Sequence, residues 1–158
     1  MTRRRAGIAL VPWGLACALL GASALSADPV EETPGEAGAD SDYARGKRAV
    51  EAKDWTNAIQ FLRRAEVQDD RNPDLENLLG YSYRNVGRLD EAFRHYRQAL
   101  RLNPRHRGAH EYIGEAYLLI NDVGKAEGHL ATLARICIVS CEEHEDLRRK
   151  IAEYKRAH

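Results

Sequence analysis

The chain lacks the devices by which most enzymes announce themselves. Its 158 residues hold no Gly-rich phosphate loop, no nucleophile elbow around a serine and no His-Glu-x-x-His helix. Nucleotide hydrolysis, α/β-hydrolase chemistry and zinc proteolysis therefore have no footing here. Carboxylates are plentiful, but no pair is singled out by an apolar setting, as general acid–base work would need. The sequence is read as non-enzymatic and implies no cofactor. A dense basic stretch is also missing, which argues against a nucleic-acid partner. Cysteine is scarce: there are three, and Cys17 lies in an apolar N-terminal run, leaving Cys137 and Cys141 for the rest.

That apolar run starts after Arg3, Arg4 and Arg5 and extends from Ala6 to about Leu25. Small residues close it, in Ala22-Ser23-Ala24 and Ser26-Ala27. Residues 1–27 thus read as a bacterial secretory signal cleaved after Ala24 or Ala27. Gly14, three places before Cys17, is not the aliphatic residue a lipoprotein signal carries there. The alternative is an uncleaved inner-membrane anchor with the chain facing the periplasm, since roughly 20 apolar residues can span a bilayer. Pro12 and the small-residue ending favour cleavage. A periplasmic protein, not inserted in the membrane, is the expectation. All 24 acidic residues lie beyond the run, whereas three of the 24 basic ones lie inside it, so the exported part carries a net charge of −3. Residues 28–40 (DPVEETPGEAGAD) offer two prolines, two glycines, several acids and no apolar period, so a disordered acidic linker is expected.

What the remaining sequence has is a beat. Gly46, Gly80 and Gly114 are spaced 34 residues apart, and so are Ala58, Ala92 and Ala126. Small residues at two fixed phases of that period mark helix-turn-helix repeats that stack because no single unit can bury its own apolar face. The spacing predicts helices near 42–53, 55–68, 74–86, 89–102, 107–120 and 123–136. Ser41 and Asn72 are placed as N-caps, Pro73 in a first helical turn, and Gly87 at a helix end. A seventh helix, 141–156, is expected from Ser140 and Glu143 in capping-box spacing. Its Leu147, Ile151 and Tyr154 recur at helical intervals and would cover the open end of the last repeat.

The residues at these phases resemble the tetratricopeptide repeat family. The second repeat, about 73–106, carries Leu79, Gly80, Tyr83, Ala92, Tyr96, Ala99 and Pro104. The third, about 107–140, carries Ile113, Gly114, Tyr117, Ala126 and Leu130, then departs with Leu133 for alanine and Ile138 for proline. The first, about 41–72, has Gly46, Ala49, Ala58, Leu62 and Ala65, with Arg45 in the usual leucine place and Asp70 in the proline place. The resemblance implies an all-α, right-handed α-solenoid of three tetratricopeptide repeats with a C-terminal capping helix, over residues 41–158. It also implies that the first helix of each repeat lines a concave groove for a protein or peptide ligand. The groove residues would be Tyr43, Lys47, Asn77, Tyr81, Arg84, Asn85, Glu111, Tyr112 and Glu115. The function implied is a protein–protein interaction scaffold, an adaptor or assembly factor of the bacterial cell envelope, with self-association as a further option. Chaperone-binding relatives clamp a C-terminal carboxylate with lysine, asparagine and arginine. At those places stand Tyr43, Lys47, Leu78, Gly108 and Tyr112, which argues against that clamp.

Cys137 and Cys141, an even pair in an exported chain, read first as a disulfide stapling the cap to the last repeat. Two further readings stay open: a thiol–disulfide or copper-handling accessory function, and a metal site. Cys137, Cys141 and His144 fall within eight residues, and His106 and His110 are four apart on a helix start.

Overall fold

The computed structural model describes residues 41–158, so the expected signal (1–27) and linker (28–40) lie outside the described residues. Seven α-helices follow one another: α1 (Asp42–Glu51), α2 (Trp55–Gln68), α3 (Pro73–Asn85), α4 (Leu89–Leu102), α5 (Arg107–Leu119), α6 (Val123–Ile136) and α7 (Glu142–Ala157). Helices 1–2, 3–4 and 5–6 form three hairpins in an all-α solenoid, and α7 packs across α5 and α6.

The hairpin turns repeat atom for atom. Lys53, Gly87 and Asn121, each 34 residues from the next, have φ of 57°, 77° and 60°. In each turn the amide of that residue donates to a carbonyl three places back: Val50, Arg84 and Leu118. The following amide donates five places back, to Ala49, Tyr83 and Tyr117. This is the left-handed C-terminal cap that satisfies the last helical carbonyls. The next residue then caps the second helix. Asp54 accepts from the Asn57 amide and Asp122 from the Lys125 amide, whereas Arg88 makes no side-chain cap bond.

Close helix approach explains the glycine beat. A Cβ on Gly46 would stand 2.6 Å from Leu62 Cδ2, and one on Gly80 2.5 Å from the Tyr96 ring. Ala58, Ala92 and Ala126, the other small residues of the period, are fully buried. The main core runs through the first five helices, with Leu62, Leu75, Leu79, Tyr96 and Ile113 inside it. Each such buried side chain contributes about 1.5–3 kcal/mol.

The third hairpin breaks the rule. Gly114 is met by Leu147 of α7, 2.7 Å from the position of its absent Cβ. Leu133, the large residue in the alanine place, joins Leu147, Ile151 and Leu118 in a second cluster, with Leu130 and Tyr154 beside it. The extra volume of Leu133 reaches the cap, which is why the family's small residue is dispensable there. The start of α7 also corrects the sequence reading. Cys141, not Ser140, occupies the N-cap position, and it makes no side-chain cap bond. The Ser140 hydroxyl instead donates to Glu145 Oε1 at 3.0 Å, so the Ser140–Glu143 capping box does not form.

Candidate functional site

Helices α3 and α5 carry an aromatic row. The Tyr81 and Tyr112 rings lie 4.7 Å apart, and Trp55, at the start of α2, meets Tyr81 edge-on at 5.5 Å. All three are half-buried. The Arg84 guanidinium sits 5.2 Å from the Tyr81 ring centre and 5.5 Å from that of Tyr112, within cation–π range. One turn of helix separates Tyr81 from Asn85, whose Nδ2 donates to the Tyr81 carbonyl at 2.8 Å. Trp55 was not among the sequence candidates because it belongs to the second helix of its hairpin. Its signal is a large aromatic in an otherwise polar first turn.

Beyond the row the site becomes ionic. Glu115 is only 5% exposed and is paired on both sides, with Arg84 of α3 and Lys150 of α7. Glu111, one turn earlier on α5, is 7% exposed, yet no hydrogen bond or ion pair engages its carboxylate among the described residues. Burial pushes its pKa up to about 7, helped by the negative charges of Glu115, Asp146 and Glu143 and opposed by Lys150. Tyr112 is pushed up to about 12, mainly by burial and then by Glu111. Two further buried polar atoms lack a partner: Asn77 Oδ1 on α3 and the Tyr96 hydroxyl on α4. The Tyr96 phenol faces the charges of Arg84 and Glu115, and burial raises its pKa.

The structure thus brings together Asn77, Tyr81, Arg84, Asn85, Glu111, Tyr112 and Glu115 on neighbouring stretches of α3 and α5. Tyr43 and Lys47 form a separate pair on α1, with the lysine Nζ 5.9 Å from the ring centre. No ring contact or ion pair among the described residues ties them to Tyr81. Burial, followed by the Asp74 carboxylate, raises the Tyr43 phenol.

On another side, a cleft of about 210 Å³ is lined by Glu66, Glu76, Arg94 and His95, among others. His95 Nδ1 lies 2.7 Å from Glu76 Oε2, and Arg94 Nη2 lies 3.2 Å from His95 Nε2. Arg94 donates to Nε2, which leaves the Nδ1 proton for Glu76. With Glu66, three ligand atoms come within 4.8 Å of one another. Each has a partner already, since Glu66 pairs with Arg63 at 2.5 Å, so nothing calls for an ion.

The sequence's metal pairings are rearranged. His106 Nδ1 accepts from the Ala109 amide and its Nε2 lies 3.0 Å from Asp74. His110 turns away to His129, Nδ1 to Nδ1 at 2.9 Å. Burial lowers the pKa of both rings of that pair, His129 to about 4. His106 and His110 therefore face different partners and do not converge. Cys137 and Cys141 come together as a bonded pair, Cα atoms 5.8 Å apart, in the loop between α6 and α7. His144 engages Glu145 at 3.3 Å and does not join them. No helix among the described residues is long and apolar enough to cross a membrane.

The tetratricopeptide repeat family model matches residues 77–138. No curated protein matches the chain. Among solved structures, the second tetratricopeptide repeat domain of human RPAP3, in complex with the HSP70 peptide SGPTIEEVD, superposes with a TM-score of 0.64 at 18% identity. That match covers 73% of this chain and 92% of the RPAP3 domain. The type III secretion translocator chaperone SycD of Yersinia enterocolitica gives 0.64 at 16% identity, over 73% of this chain and 79% of SycD. MamA of AMB-1 gives 0.56 at 23% identity, over 60% of this chain and 56% of MamA.

Proposed function

Starting from a chain that is a tetratricopeptide repeat protein, we propose that it is a non-catalytic interaction scaffold that holds a peptide or helix along Trp55, Tyr81 and Tyr112. The single observation that carries this is the half-buried aromatic row itself. Rigid rings present a large apolar area at low entropic cost, and such residues dominate binding energy where they cluster. The polar groups beside them suit an extended backbone. The RPAP3 domain is in complex with a peptide, and SycD has been solved in complex with a peptide of the translocator YopD. Those complexes support the same class of ligand for a similar fold. The signal-like residues 1–27 support export, and with it a role as adaptor or assembly factor in a bacterial envelope.

The test is quantitative affinity capture from envelope extracts, wild type beside Tyr81→Ala/Tyr112→Ala, with helicity checked by circular dichroism. Arg84 is left intact because it holds buried Glu115. A stoichiometric partner retained by the wild type and lost by the folded variant is the expected result. Capture indifferent to both substitutions would sink the groove reading.

A second reading rests on the Cys137–Cys141 pair, joined in a loop whose Ile138 and Val139 are exposed. It is a thiol–disulfide accessory role. Replacing both cysteines with serine should leave partner capture intact if the bond is a structural staple, and abolish function without unfolding if it is redox-active.

A further inference from the structure

Asn77 Oδ1 and the Tyr96 hydroxyl are buried without a partner, and the carboxylate of Glu111, a residue 7% exposed, is engaged by no hydrogen bond or ion pair among the described residues. Leaving such groups unpaired is costly, and folded proteins rarely tolerate several together without a ligand or water to receive them. Asn77 Oδ1 and the ionised form of the Glu111 carboxylate can only accept, and the Tyr96 hydroxyl can accept. They call for a donor, and Glu111 calls for a cation.

The charges around them sharpen this. Arg84 and Lys150, the cations that face the groove from α3 and α7, are both committed to Glu115. On α7, Asp146 is paired with Arg149 at 2.7 Å and Glu143 with Arg107 at 3.4 Å. Glu111 is the carboxylate left over. Gly108, three residues before Glu111 on α5, has its absent Cβ 3.2 Å from Asn77 Nδ2 and lines a cleft of about 290 Å³ whose walls also carry Asp74, Glu143, His106 and Arg107. Arg105 lines it too, with its guanidinium turned to the Ile136 carbonyl at 3.5 Å. The Tyr112 ring beside Glu111 supplies a π-face for the alkyl stem or the charge of a cationic side chain.

We propose that the groove receives a cationic side chain, a lysine or arginine of the bound peptide, with the Glu111 carboxylate as its counter-ion. This rests on the peptide-binding reading above and adds the sign of the ligand. It is the reverse of the HSP70 peptide held by the RPAP3 domain, which ends in Glu-Glu-Val-Asp.

A phage-displayed library of random linear peptides, panned on the full chain, tests the two claims separately. Binders are remeasured by fluorescence anisotropy against the wild type, Glu111→Gln and Tyr81→Ala/Tyr112→Ala. The glutamine variant keeps the shape and removes the charge. The expected result is enrichment of lysine or arginine at a fixed place, with about tenfold or greater loss of affinity both in Glu111→Gln and when that residue becomes norleucine. Acidic or uncharged binders that need Tyr81 and Tyr112 but ignore Glu111→Gln would overturn the cation and leave the groove standing. Binders indifferent to the tyrosine pair, or none at all, would overturn both.

Discussion

The middle and last hairpins share a period but are closed in different ways. In the middle one, Gly80 is covered by Tyr96 of its own partner helix, and the contact is internal to the repeat. In the last one, Gly114 is covered by Leu147, which lies outside any repeat. The hairpin α3–α4 is therefore complete once α4 folds back, whereas α5–α6 is complete only when α7 docks. The same docking brings Lys150 to Glu115 and Asp146 towards Glu111. A helix whose first task is to close the solenoid thus also sets the electrostatics at one end of the groove.

Removing Leu147 should break this difference most strongly. The side chain is fully buried, and Leu147→Ala is expected to cost about 3 kcal/mol through lost burial and the cavity left behind. Amide exchange should then accelerate in α7 and on the flank of α5 that bears Gly114, while α3 and α4 keep most of their protection. Uniform loss of protection over all seven helices would show that the last hairpin is no more dependent than the middle one.

Glu111→Gln probes the same end by charge. Its folded-state pKa of about 7 stands above the ordinary carboxylate value, so the folded protein binds the extra proton between the two. Its contribution to stability is therefore greatest below about pH 4.5 and is lost as pH rises through about 7. After allowance for solvent screening, Glu111→Gln should be more stable than wild type by roughly 2 kcal/mol near pH 8 and equal to it near pH 4. The His110–His129 pair acts in the opposite direction. Burial lowers both pKa values, so its contribution is present above about pH 6.5 and lost as pH falls towards 4. Only the difference between variant and wild type isolates Glu111. A difference that does not change with pH would show an ordinary, solvated carboxylate.

Adding one methyl group compares the two glycines directly. Gly80→Ala would set a Cβ 2.5 Å from the fully buried Tyr96 ring, which cannot yield without moving α4. A cost of about 1.5 kcal/mol is expected after the gain in helix propensity. Gly114→Ala meets only the branched end of Leu147 at 2.7 Å, and its propensity gain should offset most of the clash. Urea unfolding of the two variants should therefore show the larger midpoint drop for Gly80→Ala.

The sequence shows the helices and their pairing because the 34-residue spacing is a packing constraint. Gly46 against Leu62 and Gly80 against Tyr96 are both pairs 16 residues apart. By the same rule Gly114 should meet Leu130, and no periodic reading could assign it to Leu147. Nor could spacing show that Arg84 is engaged by Glu115, since ion pairing is chosen by rotamers rather than register. Of the groove candidates, those on α3 and α5 converge, while Tyr43 and Lys47 sit apart. The family pattern names a face of each helix but not which faces come close enough to act together. The unpaired state of Glu111 was illegible for a related reason: it depends on where Lys150 goes, and Lys150 belongs to the non-repeating cap.

The smallest expected effects lie in the three hairpin turns, which share one backbone conformation with three different residues. A left-handed φ costs a side chain of ordinary shape about 1 kcal/mol and costs glycine nothing. Lys53, at φ 57°, should therefore gain roughly 0.5–1 kcal/mol on conversion to glycine. Gly87→Ala should lose about as much, since nothing lies within 4 Å of its missing Cβ and strain is the whole effect. Asn121 tests whether the last hairpin differs even here. Asparagine tolerates this conformation better than lysine, and its Oδ1 accepts the Tyr154 hydroxyl of α7 at 2.7 Å. Asn121→Gly removes that tie, which should cancel its smaller conformational gain of a few tenths of a kcal/mol. Urea midpoints should thus rise for Lys53→Gly, fall for Gly87→Ala and stay level for Asn121→Gly. In a Tyr154→Phe background, where the hydrogen bond is already absent, Asn121→Gly should instead stabilise. If it does not, Asn121 serves the turn alone and α7 holds the last hairpin through Leu147 and Glu115 without it.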